Sequence, residues 1–227
     1  TISMINMGFL DELKSQADSL TKEKQAYQTN LVANAELVDS RMRQTFSYLN
    51  DLCKQLDIIK PPSAQVFELH GVGKFDQLML VDFFADYRKR KFKDTEVFDI
   101  VTLQFKHQSP HNLQLKKDMP HQIELCEDAL WRHNLKFQRD DVRTEEGKMR
   151  WTQFTIPCSV NAEASVQGDY EHAQLIFKLK NFERFETATV AFQAAIFGES
   201  VLEDFAKMIV GQPNRFLAQG QVLGIVG

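Results

Sequence analysis

Residues 8–62, GFLDELKSQADSLTKEKQAYQTNLVANAELVDSRMRQTFSYLNDLCKQLDIIKPP, decide the fold. Apolar or small side chains recur at Leu10, Leu13, Ala17, Leu20, Tyr27 and Leu31. The spacings are three and four, with only Lys24 interrupting them, which is a heptad seam on an amphipathic helix. Past Leu31 the phase slips, and the next register runs through Ala35, Val38, Met42, Thr45, Leu49, Leu52, Leu56 and Ile59. Four residues inserted into a heptad pattern make a stutter, which unwinds a supercoil locally without interrupting the helix. The competing expectation is a break at Gln28-Thr29-Asn30, with Thr29 or Asn30 capping a second helix that folds back. No glycine or proline lies there to make the tight turn a helical hairpin wants.

A single helix of this length extends about 75 Å at 1.5 Å per residue, far more than the width of a domain built from the remaining residues. Part of its stripe therefore needs a partner outside its own domain. The second half carries the bulkier residues, Met42, Phe46, Tyr48, Leu49, Leu52 and Leu56, and is expected to pack on the chain's own sheet. The first half has a smaller stripe among Lys, Gln, Asp and Glu. Its Leu10, Leu13, Ala17, Leu20, Tyr27 and Leu31 are the expected self-association residues, giving a homo-oligomer with coiled-coil-like pairing. Met7-Gly8 opens the helical pattern, and residues 1–6 add nothing to it.

Composition sets the outer limits. Of 227 residues, 43% are hydrophobic and 26% charged, which excludes global disorder and leaves room for one sizeable core plus an extension. A net charge of -4 gives no whole-chain attraction to nucleic acid or anionic lipid. Cys53, Cys126 and Cys158 are odd in number and widely spaced, so they form neither a disulfide framework nor a CxxC pair. That points to buried thiols in a reducing, cytoplasmic setting. No stretch is apolar enough to span a membrane, and no charged-then-apolar leader is expected.

Pro61-Pro62 cannot continue a helix and divides the chain into a helical segment, 1–62, and a domain, 63–227. From Val66 the texture becomes strands: 66–69, a Gly71-Val72-Gly73 turn, an apolar run from Phe75 to Phe84, then Val97 to Phe105 as its hairpin partner. His107 to Lys117 is polar, contains Pro110, and reads as a loop or short edge strand. A helix opens at Asp118 and Pro120 with Met119, Ile123, Cys126 and Leu130 on its apolar face. Strands then follow over 135–142, 149–156, 159–167, 170–180 and 185–192, joined by short turns as an antiparallel meander. Val160, Ala162, Ala164 and Val166 alternate with Asn161, Glu163, Ser165 and Gln167, as a sheet with one wet face requires. Ser200-Val201-Leu202-Glu203 has the form of a capping box opening a last helix, which exits at Gly211 and Pro213. The tail, 219–227, is a final strand or a loose end. The expected class is α+β: a long N-terminal helix, then a curved antiparallel sheet with two packed helices.

Candidates for chemistry are sparse. His107 and His111 have helical metal spacing, but Pro110 spoils the helix, and a solvated loop is the expectation. His121, Glu124 and Asp128, with Glu127 close, share the outer face of their helix, where any surface helix carries charge. Cys53 and Cys126 fall on apolar faces, and Cys158, after Pro157 at a strand end, is the most accessible thiol of the three. No nucleophile elbow, phosphate loop or dinucleotide fingerprint is present, and no metal or cofactor is expected. Tyr87, Arg88, Lys89, Arg90, Lys91 and Lys93 form the one local charge excess, a patch for an anionic partner if one binds. A solvated hairpin tip is its plainer reading, and nucleic acid is disfavoured. The functional expectation is a self-associating interaction or scaffold protein. A small apolar ligand module on the Phe-rich sheet, which carries most of 18 phenylalanines, comes second, and an enzyme using Cys158 or the 121–128 face third.

Overall fold

The computed structural model describes residues 9–227, so the expected opening at Met7-Gly8 lies outside the described residues. The chain forms one unbroken helix, α1 (Phe9–Ile59). Thr29 does not cap anything: its Oγ1 donates back to the Gln25 carbonyl at 2.9 Å inside the helix. The helix ends where Pro61 removes the next donor, with Lys60 at a positive φ of 46°.

A two-stranded hairpin follows, β1 (Phe67–Leu69) and β2 (Gly73–Phe75), and then the strands of a seven-stranded antiparallel sheet. These are β3 (Met79–Phe92), β4 (Thr95–Lys117), β5 (Gln138–Arg143), β6 (Met149–Asp169), β7 (Gln174–Lys180), β8 (Thr187–Gln193) and β9 (Gln221–Val226). Helix α2 (Pro120–Arg132) lies between β4 and β5, and α3 (Glu199–Ile209) and the short α4 (Phe216–Gln219) between β8 and β9. The strand order is β3-β4-β6-β7-β8-β9, with β5 also paired to β6. The α+β class with a long N-terminal helix and an antiparallel sheet is what the sequence pattern predicts.

Two local expectations are corrected and a third is narrowed. Residues 107–117 are strand and not loop: β4 runs through them, and past Gln108, where β3 stops, they pair with β6 alone and form a sheet edge, the second of the two expectations. Residues 149–156 and 159–167 are one strand, since Pro157 sits on the exposed side of β6 opposite Asn112. There β4 bulges at Ser109-Pro110-His111, so neither proline removes a needed ladder bond. The Ser200 capping box does not form; Gly198 is the N-cap of α3 with no side-chain cap.

Every even-numbered position of β6 from Thr152 to Val166 is buried, and the odd positions face the open side. One face of this long strand thus floors two cores. The larger joins α1, α3, β3, β7 and β8, and its centre is aromatic: Phe177 stands 5.4 Å from Phe192, 5.5 Å from Phe205 and 5.3 Å from Phe216. The smaller lies under α2 and the β1-β2 hairpin, with Ile123, Cys126 and Leu130 against Phe154, Ile156 and Val160.

Only the second half of α1 belongs to this body. Leu31, Val38, Met42, Thr45, Leu49, Cys53 and Leu56 are buried, whereas residues 9–30 are exposed throughout. Two carboxylates on that half fasten it. Asp39 Oδ1 accepts the Phe98 N–H at 2.7 Å and Asp57 Oδ1 the Phe83 N–H at 3.0 Å. Phe83 lies within one irregularity of the β3-β4 ladder, where it has no register partner, and Phe98 lies beside the other, next to the unpaired Asp99. Arg41 adds a hydrogen bond from Nε to the Ala194 carbonyl at 3.2 Å.

Replacing Leu49 by alanine is expected to lower unfolding free energy by about 2–5 kcal/mol in urea titration, the range for a cavity in a packed core. Asp39→Ala leaves the Phe98 amide unpartnered and is expected to cost about 1–3 kcal/mol, with Asp39→Asn recovering much of it.

Candidate functional site

Two regions stand out once the cores are set aside: the exposed half of α1 and a cavity on the open face of the sheet. On α1, Leu10, Leu13, Leu20 and Tyr27 are 63%, 44%, 58% and 63% exposed, and Leu31, at 8%, is where the stripe meets the body. Ala17 is exposed between them. The spacing keeps all of these on one side of a straight helix. Residues 9–30 therefore carry an apolar seam about 33 Å long that no described residue covers. The phase slip after Leu31 is where the helix changes surroundings: one register faces solvent and the next faces the sheet.

The cavity arises from strand bookkeeping along β6. Its edge pairs with β5 as far as Thr155 and with β7 only from Glu163 onward, leaving the residues between without a strand neighbour. The chain fills the gap with the turns after α2 and after β7. Asn181, at a φ of 56°, donates from Nδ2 to the Asn161 carbonyl at 2.9 Å. The remaining hollow holds about 530 Å³. Its walls include His133, Asn134, Ser159, Asn161 and Lys180, with the Lys106–Asp82 pair at 2.7 Å and the Gln104–Glu163 hydrogen bond at 2.8 Å. The charged groups are largely paired with each other, so the walls offer hydrogen bonds more than net charge. Most of the phenylalanines, by contrast, are packed in the two cores, although the exposed Phe84 and the buried Phe105 also line this hollow.

The residues singled out for chemistry are scattered. His107 and His111 do not converge: His107 points into the core and His111 sits exposed in the β4 bulge. His121, Glu124 and Asp128 are exposed on α2, and Glu127 is tied to Arg139 at 2.8 Å. Among the described residues no three His, Cys, Asp or Glu side chains gather as a metal site would require. All three cysteines are buried. Cys158 lies mid-strand in β6 instead of at a strand end, and burial pushes its thiol up. Burial, with Asp57 nearby, raises Cys53 to about 11, and burial also raises Cys126. Such thiols are poor nucleophiles.

The basic run is the exposed end of the β3-β4 hairpin, leading into its turn. Arg88 to Phe92 belong to β3, and only Lys93-Asp94 make the turn. Lys89 pairs with Glu96 at 3.0 Å and Arg90 with Asp99 at 2.8 Å. Tyr87 stacks on Phe98 at 4.4 Å and meets Phe46 of α1 edge-on at 4.6 Å, with Arg43 over the Phe98 ring at 4.6 Å, so Lys89 and Arg90 are paired along the β3-β4 hairpin and Tyr87 helps hold α1 to the sheet.

One constellation has no signature in the sequence. Ser63 Oγ lies 2.8 Å from His107 Nδ1, joining the segment after α1 to β4. Only the fold brings these residues, far apart in the chain, together. The pair resembles a nucleophile and its base, yet Nε2 is buried with no hydrogen-bond partner, so nothing orients the ring from behind. Burial between Phe67 and Phe105 lowers the His107 pKa to about 4, and the Asn181 backbone opposes this without closing a hydrogen bond to Nε2.

No protein-family profile, curated protein or solved structure matches this chain. Among the described residues no helix is long and apolar enough to cross a membrane.

Because His107 is held below its ordinary value, its contribution to stability is complete above pH 6.5 and is lost as pH falls toward 4. The loss is expected to reach about 3 kcal/mol. Urea titrations of the wild type and of His107→Leu between pH 7 and pH 4 check this: the wild type should lose stability steeply over that interval, and the variant should show a flatter profile.

Proposed function

We propose that this chain is a self-associating scaffold protein that pairs with a second copy through residues 9–31 of α1, leaving the sheet domain at the end of the joined helices as a surface for partners. The observation that carries this is the unburied seam of Leu10, Leu13, Ala17, Leu20 and Tyr27 on a helix that otherwise buries its stripe. Seams of this spacing bury themselves by packing knobs into the holes of a like helix.

The seam also favours one orientation. Parallel pairing would set Lys24 against its own copy in the interface. Antiparallel pairing with Ala17 facing the partner's Leu20 instead sets Lys24 against the partner's Leu13 and Leu10 against the partner's Tyr27. The flanks then match Gln16 to the partner's Glu23 and Lys14 to the partner's Thr21, with no like charges opposed.

Light scattering across a dilution series tests the association. A Leu13→Glu, Leu20→Glu variant leaves the buried half of α1 intact and is expected to lose the helix-mediated association while keeping its far-ultraviolet spectrum. An unchanged mass in that variant would sink the reading. For orientation, Leu10→Cys and Tyr27→Cys chains are expected to cross-link with each other in a mixture far better than either does with itself.

A further inference from the structure

The open face of the sheet carries one row of side chains that crosses it from strand to strand. Phe84 pairs with Gln104, Gln104 with Glu163, Glu163 with Lys180 and Lys180 with Thr187, which sets them in line on β3, β4, β6, β7 and β8. Steps between neighbouring strands of about 4.8 Å make the row about 19 Å long. Phe83, Leu103, Ala164, Leu179 and Ala188, a chain neighbour of each, are buried in the core. The row therefore stands on the opposite face.

The row is not flat. Over β6 and β7 it lines the hollow of about 530 Å³ walled by the turns at His133-Asn134 and Asn181, a volume ordinary for a small-molecule site. A second hollow of about 510 Å³ lies farther along, against Lys178, Thr187 and Thr189, and the Lys180–Thr187 pair leads from the first to the second. Charges around the row cancel. Asp82 pairs with Lys106 at 2.7 Å, and Glu163 lies between Lys180 and Gln104, which donates to it at 2.8 Å. What remains is a line of amide, carboxylate, ammonium and hydroxyl groups with one aromatic ring at its end, since Phe84 is 58% exposed.

We propose that this row binds a neutral, extended oligosaccharide laid across the strands. Sugar hydroxyls both donate and accept, and a glutamine held beside a glutamate offers donor and acceptor at a fixed spacing. Asn134, Asn161 and Ser159 add further amide and hydroxyl groups around the hollow. The C–H face of a pyranose rests on the negative face of an aromatic ring, and Phe84 supplies that ring at the end of the row. An apolar ligand would desolvate these polar groups and leave them without partners. A nucleic-acid backbone would meet Asp82 and Glu163 beside Lys106 and Lys180, so its phosphates gain little. The length of the row, with a second hollow beyond the first, calls for several linked rings instead of one. The site lies wholly on the sheet and does not depend on the α1 seam.

Calorimetric titration of the full chain tests this, with the hexasaccharides of the cello-, malto-, manno-, xylo- and N-acetylchito- series and the monosaccharide of each. At least one hexasaccharide is expected to bind at millimolar concentration or tighter, and about tenfold or more tighter than its monosaccharide. Phe84→Ala and Gln104→Ala are each expected to weaken that binding about tenfold. Both side chains are exposed, so the far-ultraviolet spectrum should not change. Gln167→Ala, on the same face outside the row, should leave the affinity as it is. The Leu13→Glu, Leu20→Glu variant should keep the same affinity per chain, which separates this site from the helix pairing. No binding by any of the series overturns the proposal, as does binding that Phe84→Ala and Gln104→Ala leave unchanged. A monosaccharide held as tightly as its hexasaccharide overturns the row. Oligouridylate is the remaining probe: if it binds in preference to every sugar, and Lys106→Ala and Lys180→Ala weaken it, the face is a nucleic-acid surface and the proposal falls.

Discussion

The burial of one helical stripe on one sheet holds this molecule together. Val38, Met42, Leu49, Cys53 and Leu56 lie against the inner face of β3, β4 and β6, and without them the larger core would lose a whole side. Apolar area alone would let such a helix slide along the sheet. The carboxylates of Asp39 and Asp57 prevent this, because each accepts a particular backbone amide, one on β4 and one on β3. The irregularities in the ladder and the position of the helix are therefore coupled: the bulged strands need outside acceptors, and the helix needs fixed points. An unpaired buried amide is costly enough that neither partner is free to drift.

A second consequence follows from β6. A strand long enough to floor two cores needs more length of neighbour than any one short strand supplies. On one side β4 matches it nearly end to end. On the other, β5 and β7 arrive from opposite ends and leave a gap that loops must close. Loops that replace a strand bring side chains such as Asn181 to satisfy the stranded carbonyls, and these same side chains make a hollow of polar character. The polar cavity and the dense aromatic core are two results of the same long strand, on its opposite faces.

Much of this was legible in residue order. Periodicities of 3.6 and 2 are local, and they marked α1, α2, and the alternation of Val160 to Gln167 without outside help. Prolines misled where tertiary context excused them. Pro110 and Pro157 sit at one bulge on facing strands, so two residues that argue against strand in isolation mark a bend in a continuous one. The polar composition of 107–117 fits loop and edge strand equally, and pairing with β6 decided for the strand, with His107 hidden at its start. The Ser63–His107 contact left no trace, because its two members are joined only by folding.

The sequence by itself determined the helix, its seam, the slip in phase at Leu31 and the antiparallel class, since each depends on neighbours a few residues apart. The tertiary structure decided which half of the helix is covered. That choice rests on where the sheet ends, and the width of a sheet is a property of long-range pairing. It likewise decided how the β3 edge is guarded. The amides of Leu80 and Phe83 on β3 meet the Pro61 carbonyl and the Asp57 carboxylate, supplied from the end of α1 and just past it, and no local pattern in β3 marks those partners.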